Sequence, residues 1–268
     1  MHNAKQLSVF KADTKPCRKI VHVNPEFYKR IRHMVDNDMI EHGGDTMLDL
    51  MSGDIIAASI QNGVFNRVDI KRGIIDWHCH PGTCRSNGEC TIGMPSVMDM
   101  GLVTDGAALG NLAHMVFSRE GTYVLQVKNE LRFELLNNPS YAKELSKKNA
   151  KLFTNEYNAY STDITHPGKK YKARARIIFN RLLAKASARK KKGKKLSAAE
   201  KQKIHIAQLD TLGNYPYTTF QKKYIALANN NGFCMKFFNT TVVPKFRIAF
   251  NCEFVSAGPG LKLGKKYQ

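Results

Sequence analysis

Gly73-Ile74-Ile75-Asp76-Trp77-His78-Cys79-His80-Pro81, followed after a loop rich in Gly, Asn and Cys by Pro95-Ser96-Val97-Met98-Asp99, decides how this chain is read. The first stretch is an apolar run that reads as a strand and delivers the chain into His-x-His-Pro. Alternate residues of a strand project to one side, so His78 and His80 can converge on one ion. The second stretch has the Ser-x-x-acid form of a capping box, which starts a helix with Met98, Leu102 and Val103 on its apolar face and Asp99 in its first turn. Two imidazoles and one carboxylate make the three-ligand set of a catalytic zinc with an open fourth position. Each half also has an ordinary reading: strand-end histidines satisfied by hydrogen bonds, and a capping box that only caps.

Upstream, Asn24-Pro25-Glu26 places a capping side chain before a Pro at the first helical position. Phe27, Ile31, Met34 and Val35 recur at helical spacing, which predicts a helix from about residue 25 to 39, ending before Glu41-His42-Gly43-Gly44. From Thr46 to Ile75, short apolar runs broken at Ser52-Gly53 and Asn62-Gly63 read as two or three antiparallel strands. Downstream, His114 to Phe117 and Thr122 to Val127 flank Arg119-Glu120-Gly121 as a hairpin returning to the same sheet. The fold class is α+β, a β-sheet flanked by helices.

The order Glu41-x-x-Gly44, His78-x-His80-Pro81, Ser96-x-x-Asp99 resembles the JAMM (MPN+, JAB) zinc metallopeptidase family over about residues 24 to 128. The resemblance implies a hydrolase of peptide or isopeptide bonds, a metalloprotease or deubiquitinase, with a ubiquitin-like conjugate or a peptide as substrate. It implies that His78, His80 and Asp99 bind Zn2+, that Glu41 holds and deprotonates the attacking water, and that Ser96 helps stabilise the oxyanion. Fourteen residues separate Pro81 from Ser96, about twice the family's usual loop, and they include Cys84, Arg85, Asn87, Gly88, Glu89 and Cys90. For Cys79, Cys84 and Cys90 a second metal site, a disulfide between the last two, and free thiols all stay open. Ile75 to His80 also looks like the first strand of amidohydrolase and PHP-type barrels, which begin Asp-x-His-x-His. Such barrels need ligands from later strands; only His114, His166 and His205 remain, and Glu41, Ser96 and Asp99 would be left idle.

The chain has 268 residues and a formal charge of +20, with 42 Lys and Arg against 22 Asp and Glu. Residues 1 to 128 hold 14 basic and 14 acidic side chains, so the whole excess falls in residues 129 to 268, with 28 basic and 8 acidic. Lys169 to Lys203 alone has 15 basic residues and one acidic residue. The expected organisation is an N-terminal arm (1–23), a JAMM-like domain (24–130), a Lys-rich helical segment (131–212) and a C-terminal α+β region packing on the first domain (213–268). The basic segment would attract nucleic acid or another acidic partner without sequence specificity, through counterion release. A second function class follows: a basic structural or nucleic-acid-associated protein, a virion component for example, with the zinc fold as scaffold. No apolar run reaches the roughly 18 residues of a membrane span, the N-terminus lacks the apolar core of a signal peptide, and six scattered cysteines do not make a disulfide scaffold. No membrane insertion is expected, and the expected compartment is cytoplasm or nucleus, with a virion also open.

Overall fold

The computed structural model describes residues 17–49, 52–64, 67–70, 73–81, 92–161 and 166–250. After β1 (Cys17–His22), the Asn24 side chain accepts hydrogen bonds from the N–H groups of Glu26 and Phe27 at 2.9 and 3.0 Å and starts α1 (Pro25–Asn37). β2 (His42–Leu48), β3 (Ile55–Ala58) and β4 (Gln61–Asn62) are antiparallel neighbours. β5 (Ile75–His80) carries the His-x-His pair, and α2 (Val97–Ala108) begins at the Ser96 capping box. β6 (Ala113–Ser118) and β7 (Gly121–Val127) form the expected hairpin. Four helices follow, α3 (Asn129–Asn137), α4 (Pro139–Ser161), α5 (His166–Lys191) and α6 (Ala198–Asp210), and then α7 (Tyr217–Asn230), β8 (Phe233–Asn239) and β9 (Lys245–Phe250).

The main sheet runs β3-β2-β5-β6-β7-β8, with β4 beside β2. β5 and β6 are parallel, which demands a crossover, and α2 provides it; the other pairs in this sheet are antiparallel. The architecture is therefore mixed α+β. β1 pairs with β9 in a separate ribbon, so residues 17–22, expected in an N-terminal arm, form a strand whose partner lies at the far end of the chain. Such a pairing leaves no local signature.

Every residue of β5 is buried, as befits a strand covered on both faces. Trp77 and Cys79 join one core cluster with Ile31 and Val35 of α1, Phe117 of β6, and Phe246 and Ile248 of β9; Phe27 meets Trp77 edge-on at 5.5 Å. Alternation turns Asp76, His78 and His80 to the other face. There Met100 and Val103 of α2, Phe153 and Tyr160 of α4, and Phe220 and Tyr224 of α7 form a second cluster with Val116, Tyr123 and Leu125. The basic part of the chain thus builds the core on the side where the two histidines point.

Candidate metal centre

Strand register assembles the site. β2 and β5 are antiparallel with Gly43 opposite His78, so Glu41, two residues earlier, comes level with His80. Gly43 keeps this edge close: a Cβ there would stand 2.9 Å from the Trp77 carbonyl oxygen and 3.1 Å from His78 Cβ. The capping box brings in the carboxylate, since Asp99 Oδ2 accepts from the Ser96 N–H at 2.5 Å and Ser96 Oγ accepts from the Asp99 N–H at 3.2 Å. The ordinary capping reading and the site reading therefore hold for the same residues.

His78 Nε2 and His80 Nε2 are 2.8 Å apart, Asp99 Oδ1 is 3.2 Å from the first, Asp99 Oδ2 is 3.5 Å from the second, and Glu41 Oε1 is 3.8 Å from His80 Nε2. An ion with tetrahedral bonds of roughly 2.0–2.2 Å sets its ligand atoms roughly 3.3–3.6 Å apart, so these spacings suit one ion with a slight opening of the imidazole pair.

The hydrogen bonds behind the rings say what the cluster lacks. His80 Nδ1 faces only carbonyl oxygens, of Gly93 at 3.3 Å and Met94 at 3.2 Å, so it carries the ring hydrogen and Nε2 the lone pair. Asp76 Oδ1 accepts from His114 Nδ1 at 2.5 Å, which leaves the lone pair on His114 Nε2, and this atom lies 2.8 Å from His78 Nδ1. His78 Nδ1 must donate there, and its Nε2 carries a lone pair as well. Two imidazole lone pairs and two carboxylates converge, all of them acceptors. A cation satisfies such a set: a metal ion, or a proton on one of the rings or on Glu41.

The buried residues form two overlapping groups able to hold a metal ion, Glu41 with His78 and His80, and His78 with Asp99 and His114, the ligand atoms of each lying within 4.8 Å of one another. The bond from His78 Nδ1 to His114 makes His114 the backing residue of His78 and directs His78 Nε2 toward His80, Asp99 and Glu41. Burial pushes the Glu41 carboxyl up to about 7, with His80 pulling it down and Asp99 pushing it further up. Burial acts on Asp99 in the same sense, yet when His78 and His80 carry the extra proton their charges and the His78 hydrogen bond outweigh it and hold this carboxyl well below the usual range.

Glu41, His78, His80, Ser96 and Asp99 all line one cleft of about 460 Å³. Its walls are largely apolar and include Ile92, Met94 and Leu102 together with Tyr157 of α4 and Phe220 of α7. All five expected site residues are thus brought to one place. His114 behind His78, Asp76 behind His114, and Tyr157 and Phe220 in the cleft walls were not among the site residues expected from the sequence. A signal for the first pair existed: a buried-type strand, Ala113-His114-Met115-Val116, interrupted by one imidazole in the same phase as Asp76. Cys79 points away, into the α1 core, where burial pushes its thiol up to about 12 and the His42 N–H donates to Sγ at 3.2 Å. Cys84 and Cys90 lie outside the described residues.

No family model, no curated protein and no solved structure matches the chain. The likeness to JAMM enzymes rests on the residues quoted above.

Proposed function

We propose that this chain is a zinc-dependent amide hydrolase of JAMM type, cleaving peptide or isopeptide bonds, with ubiquitin-like conjugates as the substrate class the motif implies. The observation that carries the reading is the convergence of acceptor atoms from His78, His80, Asp99 and Glu41 beside an open cleft. His78, His80 and Asp99 would hold the ion, and Glu41, farthest from the imidazole nitrogens, is left for proton transfer. Zinc bound there supplies Lewis acidity and lowers the pKa of water to roughly 7. Glu41 takes a proton from the attacking water and returns it to the leaving amine. Ser96 Oγ accepts from Asp99 and keeps its own O–H to donate toward the developing oxyanion at the cleft. The apolar walls exclude water and strengthen these interactions.

The test pairs metal analysis with cleavage of ubiquitin dimers and of a mixed peptide library. Stoichiometric zinc, lost in His78→Ala, together with cleavage lost in Glu41→Gln, is the expected result. Zinc uptake with no cleavage of any conjugate or peptide would make the fold a scaffold, and absence of zinc uptake would remove the reading.

A further inference from the structure

Lys169 to Lys203 takes no part in the cleft. α5 packs on α6, and its buried and half-buried positions, Ala175, Phe179, Leu182 and Ala186, recur at spacings of four, three and four, one face of a helix. About a third of a turn round the helix from this stripe, Lys170, Arg174, Arg181 and Lys185 are all exposed and follow one another through Ile177. At 1.5 Å per residue this row spans roughly 22 Å. The last turn adds Arg189, Lys190 and Lys191, and Gly193, at φ 70°, turns the chain in open space with Lys194 and Lys195 behind it. The segment's one carboxylate, Glu200, is engaged by Arg189, and among the described residues none of the four cations in the row has an acidic partner.

We propose that the outward face of α5 binds the phosphate backbone of double-stranded nucleic acid without reading its sequence. The row itself consists of long cationic side chains around one aliphatic residue, Ile177, and a single exposed amide, Asn180, lies beside it, so charges suited to phosphate far outnumber the Asn and Gln groups that hydrogen-bond base edges. Single strands are held by stacking on exposed aromatic rings, and the aromatic residues of α5, Tyr171 and Phe179, are both half-buried. A helix lying on a membrane needs a broad free apolar face, whereas the continuous apolar stripe of α5 is spent on α6. The exposed Ile177, Ile178 and Leu183 do not replace it: Ile177 sits within the cationic row, and the other two flank the packed stripe on opposite sides.

The test measures binding of the full chain to a fluorescent random-sequence duplex at several salt concentrations. Four to six phosphate contacts predict a slope of about −4 to −5 in log K against log salt, a loss of roughly two to three orders of magnitude between about 50 and about 200 mM. Combined Lys170→Gln, Arg174→Gln, Arg181→Gln and Lys185→Gln, all at exposed positions, should reduce the slope by about 3 to 4 and weaken binding by tenfold or more. Lys143→Gln, Lys147→Gln, Lys148→Gln and Lys151→Gln on α4, which remove the same charge elsewhere, should keep the slope. Circular dichroism and zinc content report folding of both variants. The proposal is overturned by binding that ignores salt, by equal losses in the two variants, by tighter binding to a single strand or to phosphatidylserine vesicles, or by no binding at all.

Discussion

His114 is not a ligand in this account, yet it decides which nitrogen of His78 faces the cleft. Asp76 fixes the hydrogen on His114 Nδ1, and His114 Nε2 in turn fixes it on His78 Nδ1. Partners of this kind commonly change metal affinity by roughly 10- to 100-fold. His114→Ala is expected to weaken zinc binding by that order in a chelator competition at saturable stoichiometry, and His114→Gln, whose carbonyl can still accept from His78, to recover most of it. Unchanged affinity in His114→Ala would remove the backing role. Glu41→Gln should retain zinc and lose hydrolysis, and loss of the metal would make Glu41 a ligand. At this scale His78, His80, Ser96 and Asp99 were legible because strand alternation and capping are local rules, whereas Glu41 was legible only through the order of motifs that resembles the JAMM family. Asp76 and His114 were not, because their meeting depends on the parallel register of β5 on β6, in which Asp76 faces His114.

Glu120, at the turn between β6 and β7, was legible only as part of a hairpin. It is fully buried and binds three elements together: Tyr217 of α7 donates to Oε1 at 2.5 Å, His205 of α6 lies 3.1 Å from Oε2, and Gln202 donates to its carbonyl oxygen at 2.8 Å. Gly93, whose carbonyl faces the His80 ring, is pressed against it, since a Cβ there would stand 2.4 Å from Glu120 Oε2. Burial would raise this carboxyl, but the bond and charge of His205 and the Tyr217 hydroxyl outweigh it and the net shift is downward. A folded-state pKa below the unfolded value of about 4.3 contributes stability that is full above that pH and is lost as pH falls through the folded value. Glu120→Gln should therefore lower the melting temperature at neutral pH and flatten its fall under acid. An acid limb as steep as that of the wild type would place the titrating groups elsewhere.

Charge divides the molecule into a neutral part and a basic part, and the sequence invites reading them as separable units. The sheet does not respect that division: β8 pairs with β7 over its whole length, and Phe153, Tyr160, Phe220 and Tyr224 cover the face on which the histidines lie. Net charge reports the surface and says nothing of who shares a core. Stripping away one such aromatic costs about 3–5 kcal/mol, against a total stability of about 5–15 kcal/mol. A fragment of residues 1–130 is therefore expected to give the dispersed amide spectrum of no folded protein, and a folded, zinc-binding fragment would contradict this. Among the described residues no helix is long and apolar enough to cross a membrane. The central claim, that the acceptor cluster holds a metal ion, is tested most directly by X-ray absorption at the zinc edge of the zinc-loaded full chain. Imidazole nitrogen and carboxylate oxygen are expected at roughly 2.0–2.2 Å with no sulfur; sulfur at about 2.3 Å, or no stoichiometric zinc, would contradict a His78, His80 and Asp99 centre.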